Sequence, residues 1–224
     1  NQIRKVKIED LLGRDVILLD KEQISKELAG RNVMITGAGG SIGSEIVRQV
    51  DGYSINKLIL VDQAESELFH LELECQEKFG AKDIDIIVAD ICDEARMQDI
   101  FTKYNPQLVY HAAAYKHVPM MEANPSEAVK TNVMGTMLLA NLAVNYKVEK
   151  FIMISTDKAV CPTSIMGATK RLAEMVVLNA ALQHKLQYSV VRFGNVLGSR
   201  GSVVPLFKRQ IAVGGPVTVR DPEV

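Results

Sequence analysis

Thr36-Gly37-Ala38-Gly39-Gly40-Ser41-Ile42-Gly43 follows the apolar run Asn32-Val33-Met34-Ile35 and leads into a helical pattern from Ser41 to Val50. A strand, a glycine-rich turn and a helix start, in that order, are the parts of a dinucleotide-binding unit. Gly37 permits the tight turn. Gly40 lets the backbone approach a pyrophosphate, and Gly43 lets the helix pack close to the strand. The phosphates then sit on the N–H groups at the positive end of the helix, at Ser41, Ile42 and Gly43. Glycines alone would fit an ordinary loop; the flanking strand, the helix and an acid further on set this stretch apart.

Outward from the turn, strand-like and helix-like segments alternate. The pattern predicts strands at 32–36, 57–61, 84–89, 107–111, 150–154 and 188–193. It predicts helices at 41–50, 64–79, 93–104, 124–146, 164–184 and 202–213. Leu58-Ile59-Leu60-Val61 and Phe151-Ile152-Met153-Ile154 are apolar throughout, as in strands covered on both faces of a parallel sheet. The expected fold is therefore α/β, a doubly wound parallel sheet of Rossmann type. Residues 1–30 read as a preface, with a helical turn at Ile8–Gly13 and a helix from Lys21 to Leu28 stopped by Gly30. Residues 31–193 read as the dinucleotide-binding domain. Pro and Gly thicken after 194, so 194–224 is expected to begin a substrate lobe. Such a lobe needs more than about 30 residues, which predicts that it is truncated here.

The chain has 224 residues, 47% hydrophobic, with a formal net charge of −1. That supports one full core and carries no electrostatic footprint for nucleic acid. No apolar run of about 18 residues is present to span a membrane, and no signal-peptide pattern opens the sequence as given. Cys75, Cys92 and Cys161 have no metal-ligand spacing. They suit a reducing compartment and read as buried, packing thiols, Cys161 included. No metal site is expected.

Asp62 ends the second apolar run, about 20 residues after the glycine turn. A carboxylate there can accept from both ribose hydroxyls of NAD and would repel the extra phosphate of NADP. It fits an ordinary helix cap equally, and both roles can hold together. NAD is the expected cofactor. Asp90, followed by Ile91, ends the third strand, where a carboxylate can meet an adenine amino group or cap a helix. Ala112-Ala113-Ala114 follow the fourth strand, and their small side chains leave room for cofactor contacts.

The fifth strand runs into Ser155-Thr156-Asp157-Lys158, at the strand end where α/β sites lie. Met166 and Lys170 are spaced i, i+4, so they share a helix face and can point together to the mouth of the sheet. Five segments in order then carry a resemblance: TGAGGSIG at 36–43, HAAAYKHVPMME at 111–122, STDKAV at 155–160, MGATKRLAE at 166–174 and VRFGNVLGSRGSV at 191–203. Residues 31–220 resemble the extended short-chain dehydrogenases/reductases. Within them they resemble bacterial nucleotide-sugar 4,6-dehydratases of polysaccharide biosynthesis, which include UDP-N-acetylglucosamine 4,6-dehydratases. The wider superfamily places a tyrosine base where this chain has Met166, and a thioether has no proton to exchange. A subgroup resembling this chain carries Met at that position, so the departure narrows the match and leaves the base of the first oxidation open.

The resemblance implies oxidation of a nucleotide-linked hexose at C4, loss of water across C5 and C6, and return of the hydride to C6. It implies Asp157 as proton donor and Lys158 as base. Both then need shifted pKa values, upward by burial for the acid and downward by burial and nearby cations for the amine. Lys170 is implied as the lysine at the nicotinamide ribose. Thr156 can hydrogen-bond the 4-hydroxyl and is the candidate relay. Without the resemblance, Asp157-Lys158 reads equally as an exposed charged turn.

On the substrate side, the resemblance makes Lys116 and His117 pocket residues near the sugar or pyrophosphate. It makes Asn132 a tie between the active-site strand and helix. Asn195, Arg200 and Lys208 suit a substrate phosphate or hydroxyl, and each also fits a solvated surface role. Longer relatives join a membrane region to the catalytic domain through a segment like Arg4–Gly13. That implies an excised domain whose parent works in the cytoplasm or at the cytoplasmic face of the membrane, as a homo-oligomer. Two other readings stay open: a nucleotide-sugar epimerase or dehydrogenase on the same scaffold, and a non-catalytic NAD-binding regulator. Asp157-Lys158 counts against both.

Overall fold

The computed structural model describes residues 19–79, 83–184, 186–196 and 203–218. Residues Glu22–Gly194 form one compact unit, and the described residues outside it belong to a second. The first unit holds six parallel strands: β1 (Asn32–Thr36), β2 (Lys57–Asp62), β3 (Ile84–Val88), β4 (Leu108–His111), β5 (Lys150–Thr156) and β6 (Gln187–Phe193). Their order is β3-β2-β1-β4-β5-β6. The strand order switches from one side of β1 to the other between β3 and β4, and ligands of such sheets bind at that switch point, outside the carboxyl ends.

The apolar strand runs have a direct physical cause. Val33 and Ile35 of β1, with Leu58 and Leu60 of β2, enter a core on one face of the sheet with Val47, Leu68 and Leu71. Met34, Ile59 and Val61 enter a core on the other face with Phe101, Val109, Leu139 and Phe151. Successive side chains of one strand thus serve opposite layers. The doubly wound expectation holds. Among the described residues no helix is long and apolar enough to cross a membrane.

Around the sheet lie α1 (Lys21–Leu28), α2 (Ser41–Val50), α3 (Glu65–Phe79), α4 (Glu94–Tyr104), α5 (Val118–Ala123), α6 (Pro125–Ala128), α7 (Thr136–Asn145) and α8 (Ile165–His184). Helix α9 (Val203–Ala212) lies in the second unit. Helix α4 begins at Asp93, whose side chain accepts from the Arg96 amide, and closes on Asn105 at φ +40°. Helix α1 stops at Gly30, at φ +68°, where a side chain is disfavoured.

Three expectations need correction. The preface helix α1 packs on the sheet domain: Leu28 is 2% exposed in its core, and Glu27 pairs with Lys150 at 2.6 Å. The helix expected over 124–146 is not regular, because Val129–Gly135 forms a π-helical segment between α6 and α7. Helix α5 was not expected; at six residues it is too short to display a helical period. Ile8–Gly13 lies outside the described residues.

Candidate active site

The glycine turn is a crowded backbone crossing. Gly37 sits at φ +71°, and a Cβ there would meet the Ala113 nitrogen at 2.5 Å. A Cβ on Gly43 would lie 2.0 Å from the Gly37 carbonyl oxygen, and one on Gly40 3.2 Å from the same atom. Gly43 thus lets α2 pack on the turn itself, where the sequence pointed to the strand. The turn is stitched to β2, since the Gly37 and Ala38 amides donate to the Val61 carbonyl at 2.8 and 3.2 Å. No side chain caps α2, because its N-cap is Gly40. A backbone cradle that any Cβ would fill, ending in an uncapped helix start, fits a dinucleotide pyrophosphate.

Asp62 closes this cradle. Its Oδ2 accepts from the Gly39 amide at 2.9 Å and its Oδ1 from the Ala64 amide at 3.0 Å. Each carboxylate oxygen keeps a second lone pair, so a ribose hydroxyl can still be accepted. Asp90 makes a local turn with the Cys92 amide at 2.9 Å, and the helix cap nearby is Asp93 instead. The Ile91 side chain is 5% exposed and belongs to the core, where it abuts Gly135. Its small volume of exposed surface leaves backbone alone to offer a ligand. The backbone of Ala112 and Ala113 lies close against Gly37.

At the end of β5, the Thr156 hydroxyl donates to Asp157 Oδ1 at 2.8 Å, and Lys158 Nζ donates to the same oxygen at 3.1 Å. Thr156 also accepts from the Lys158 amide at 3.3 Å, which tightens the short 3₁₀ turn Asp157–Ala159. The hydrogen bond from Thr156 holds the Asp157 carboxyl below the usual carboxylate range, and Lys158 adds to this against a small opposing effect of burial. That corrects the expectation of a raised acid: the two side chains are 53% and 40% exposed, so desolvation is weak.

Lys170 reaches back to the same strand. Its Nζ donates to the Ile154 carbonyl at 2.8 Å, and burial brings the ammonium down to about 8, with Glu174 opposing. Met166 does not join it at the sheet mouth. Met166 is 3% exposed and packs with Met121 and Ala128, against Tyr115, Val118 and Ile165. It fills an apolar niche beside α5 and α6. Gly167 lies between Met166 and Lys170, and a Cβ there would sit 2.4 Å from the Lys158 carbonyl oxygen.

Three buried polar groups escaped the sequence reading in whole or part. His111 bridges Thr36 Oγ1 at 2.8 Å and Thr136 Oγ1 at 2.9 Å, and burial with the Lys170 charge takes its imidazole down to about 3. It is therefore a neutral strut between β1 and α7. Glu174 is enclosed by Ser155, Arg171 and Arg192. Burial pushes its carboxyl up, but hydrogen bonds from Arg192, Ser155 and Arg171 outweigh that and bring it to about 2. Asn132, in the π-helical segment, accepts from the Tyr115 amide at 2.8 Å and donates to the Tyr115 carbonyl and Thr169 Oγ1, both at 3.1 Å. It ties the loop after β4 to α8. Its poor helix propensity was the available signal; His111 and Glu174 had none.

Lys116 and His117 are exposed on the loop after β4, with His117 at the N-cap position of α5. Asn195 and Lys208 are exposed in the second unit, and Arg200 lies outside the described residues. The cysteine expectation fails in part: Cys75 is buried, Cys92 half-buried and Cys161 exposed.

Comparison with known proteins adds the following. A family described as polysaccharide biosynthesis protein matches residues 33–224. The capsular polysaccharide biosynthesis protein CapD of Staphylococcus aureus is 49% identical over 226 residues, covering 100% of this chain and 38% of CapD. A UDP-N-acetylglucosamine 4,6-dehydratase (inverting) of Campylobacter jejuni is 37% identical over 196 residues, covering 84% of this chain and 57% of that protein. The solved structure of Pen from Bacillus thuringiensis has a TM-score of 0.80 and 36% identity, covering 87% of this chain and 59% of that one. The chain thus spans well under two thirds of these relatives.

Proposed function

This chain belongs to the polysaccharide biosynthesis protein family, and we propose that it is the dinucleotide-binding and catalytic part of an NAD-dependent nucleotide-sugar 4,6-dehydratase. The proposed substrate is UDP-N-acetylglucosamine, the sugar named for the Campylobacter relative. The observation that carries the reading is the Asp157–Lys158 contact pair, 3.1 Å apart, on the strand end that Lys170 also grips.

The pyrophosphate is held at Gly37–Gly43 and the start of α2, the adenosine ribose at Asp62, and the nicotinamide ribose at Lys170. A dinucleotide held there would supply the hydride chemistry, acceptance from C4 of the hexose and return to C6. Asp157 and Lys158 carry the elimination between. At rest the pair is an ammonium and a carboxylate sharing one proton. Moving that proton across the contact yields an amine and a carboxylic acid, the couple that elimination requires. Covering the pair with substrate removes water and favours this neutral form, since burial costs charged groups most. The amine of Lys158 then takes the C5 proton while Asp157 protonates the departing 6-hydroxyl. Both groups are then back as the ion pair, and the elimination itself balances without an outside acid; when hydride returns to C6 the Lys158 ammonium gives its proton to C5, and solvent, which received the 4-hydroxyl proton at oxidation, restores the resting pair. Thr156, already bonded to Asp157, is the proposed contact of the 4-hydroxyl. Lys116, His117, Asn195 and Arg200 are proposed for the sugar and its phosphates.

The direct test is mass spectrometry of the full-length protein's products from a panel of nucleotide sugars. Loss of one water from UDP-N-acetylglucosamine is expected. A product of unchanged mass would mean epimerisation and overturn the reading. Cofactor choice has its own test. Asp62→Ala should weaken NAD binding by about 10- to 100-fold, the worth of hydrogen bonds to a charged group, and should erase the preference over NADP. Tighter NADP binding by the unaltered protein would refute the role of Asp62.

A further inference from the structure

We propose that Glu174 is a positioning residue for the Asp157–Lys158 turn, clamping the ends of β5 and β6 against α8; this rests on the dehydratase reading above. The Glu174 side chain is 1% exposed. It accepts from Ser155 Oγ at 2.6 Å, from Arg192 Nε and Nη2 at 2.8 and 2.5 Å, and from Arg171 Nη1 at 3.1 Å. Four donors match the acceptor sites of one carboxylate, which makes a buried charge tolerable.

The placement gives this network its function. Ser155 of β5 and Arg192 of β6 face each other in the sheet register, one step before the last pair, Thr156 and Phe193. One carboxylate therefore staples both strands just before the turn at Asp157 begins. Helix α8 holds the strand end at three successive levels. Gly167 meets the Lys158 carbonyl, Lys170 reaches the Ile154 carbonyl, and Glu174 takes the Ser155 hydroxyl. The Lys158 and Asp157 side chains are 40% and 53% exposed, and the clamp fixes the strand ends from which they project.

The experiment uses the full-length enzyme with Glu174→Gln and Ser155→Ala. Five quantities are read: NAD affinity, hydrogen exchange at the Lys158–Val160 amides, the kcat and the KM for the nucleotide sugar, and reduced nicotinamide during turnover. In Glu174→Gln, kcat should fall about 10²-fold, the cost of a small misplacement of reacting groups. KM and NAD affinity should hold, the amides should exchange faster, and reduced nicotinamide should accumulate because oxidation outpaces elimination. Ser155→Ala should show the same pattern more weakly, and it carries the test if Glu174→Gln does not fold. A joint fall of NAD affinity and kcat without accumulation, or wild-type kcat in Ser155→Ala, overturns the proposal. If the unaltered enzyme releases no water from any sugar, the dehydratase reading fails by itself. Unchanged amide exchange would then still refute the clamp.

Discussion

Lys158→Ala in the full-length protein should cut sugar turnover by about 10²–10⁴-fold, the usual worth of a positioned acid or base, while NAD binds as before. The reason is local. Lys158 is 40% exposed, and its amine contacts Asp157 Oδ1 at 3.1 Å, so removing it opens no core cavity. The glycine cradle lies at the end of β1, whereas Lys158 follows β5, with β4 between them. Binding and chemistry should therefore separate cleanly. Asp157→Asn should be as damaging, because an amide keeps the shape but supplies no acid proton. Calorimetric titration with NAD and product mass spectrometry on the same preparations check both halves. Near-normal product from either variant would exclude the elimination pair.

Gly43→Ala should abolish measurable NAD binding and destabilise the protein by roughly 1–3 kcal/mol, the range for overpacking. The added methyl would lie 2.0 Å from the Gly37 oxygen, 2.7 Å from its carbonyl carbon and 2.8 Å from Ala38 Cα. All three are backbone atoms, so no side chain can swing away. Gly37 cannot yield either: its amide is bonded to the Val61 carbonyl at 2.8 Å, and Ala113 stands close behind it. The turn must open and α2 must shift, which dismantles the phosphate cradle. Gly52→Ala is the control, because a Cβ there meets nothing within 4 Å. Thermal melts and NAD titration of the two variants decide the matter. Retained affinity in Gly43→Ala would show that the turn can relax, and that the cradle is not the binding element.

All six strands were legible, with ends displaced by at most two residues, because strands buried on both faces write uninterrupted apolar runs. The glycine turn was legible because backbone collisions exclude a side chain at Gly37 and Gly43. The Asp157-Lys158 turn was legible as a placement, at the carboxyl end of β5. Its charge state was not. Exposure is a property of the surroundings, and the acid lies low where burial had been expected to raise it. Met166 shows the same limit: helical spacing put it beside Lys170, but only packing decides that its side chain lies beside α5 and α6.

From the sequence alone follow the parallel α/β sheet, the dinucleotide turn and the order of candidate site residues along the strand ends. These rest on interactions between residues close in the chain, on hydrophobic period and on the steric demands of glycine. The tertiary structure alone decided which polar groups are buried and joined. His111 finds Thr36 and Thr136, Asn132 finds Tyr115 and Thr169, and Glu174 finds Ser155 and Arg192. Such partners lie far apart in sequence, and hydrogen bonds and desolvation act through space. A single chain read end to end carries no mark of which distant donor will close on which acceptor.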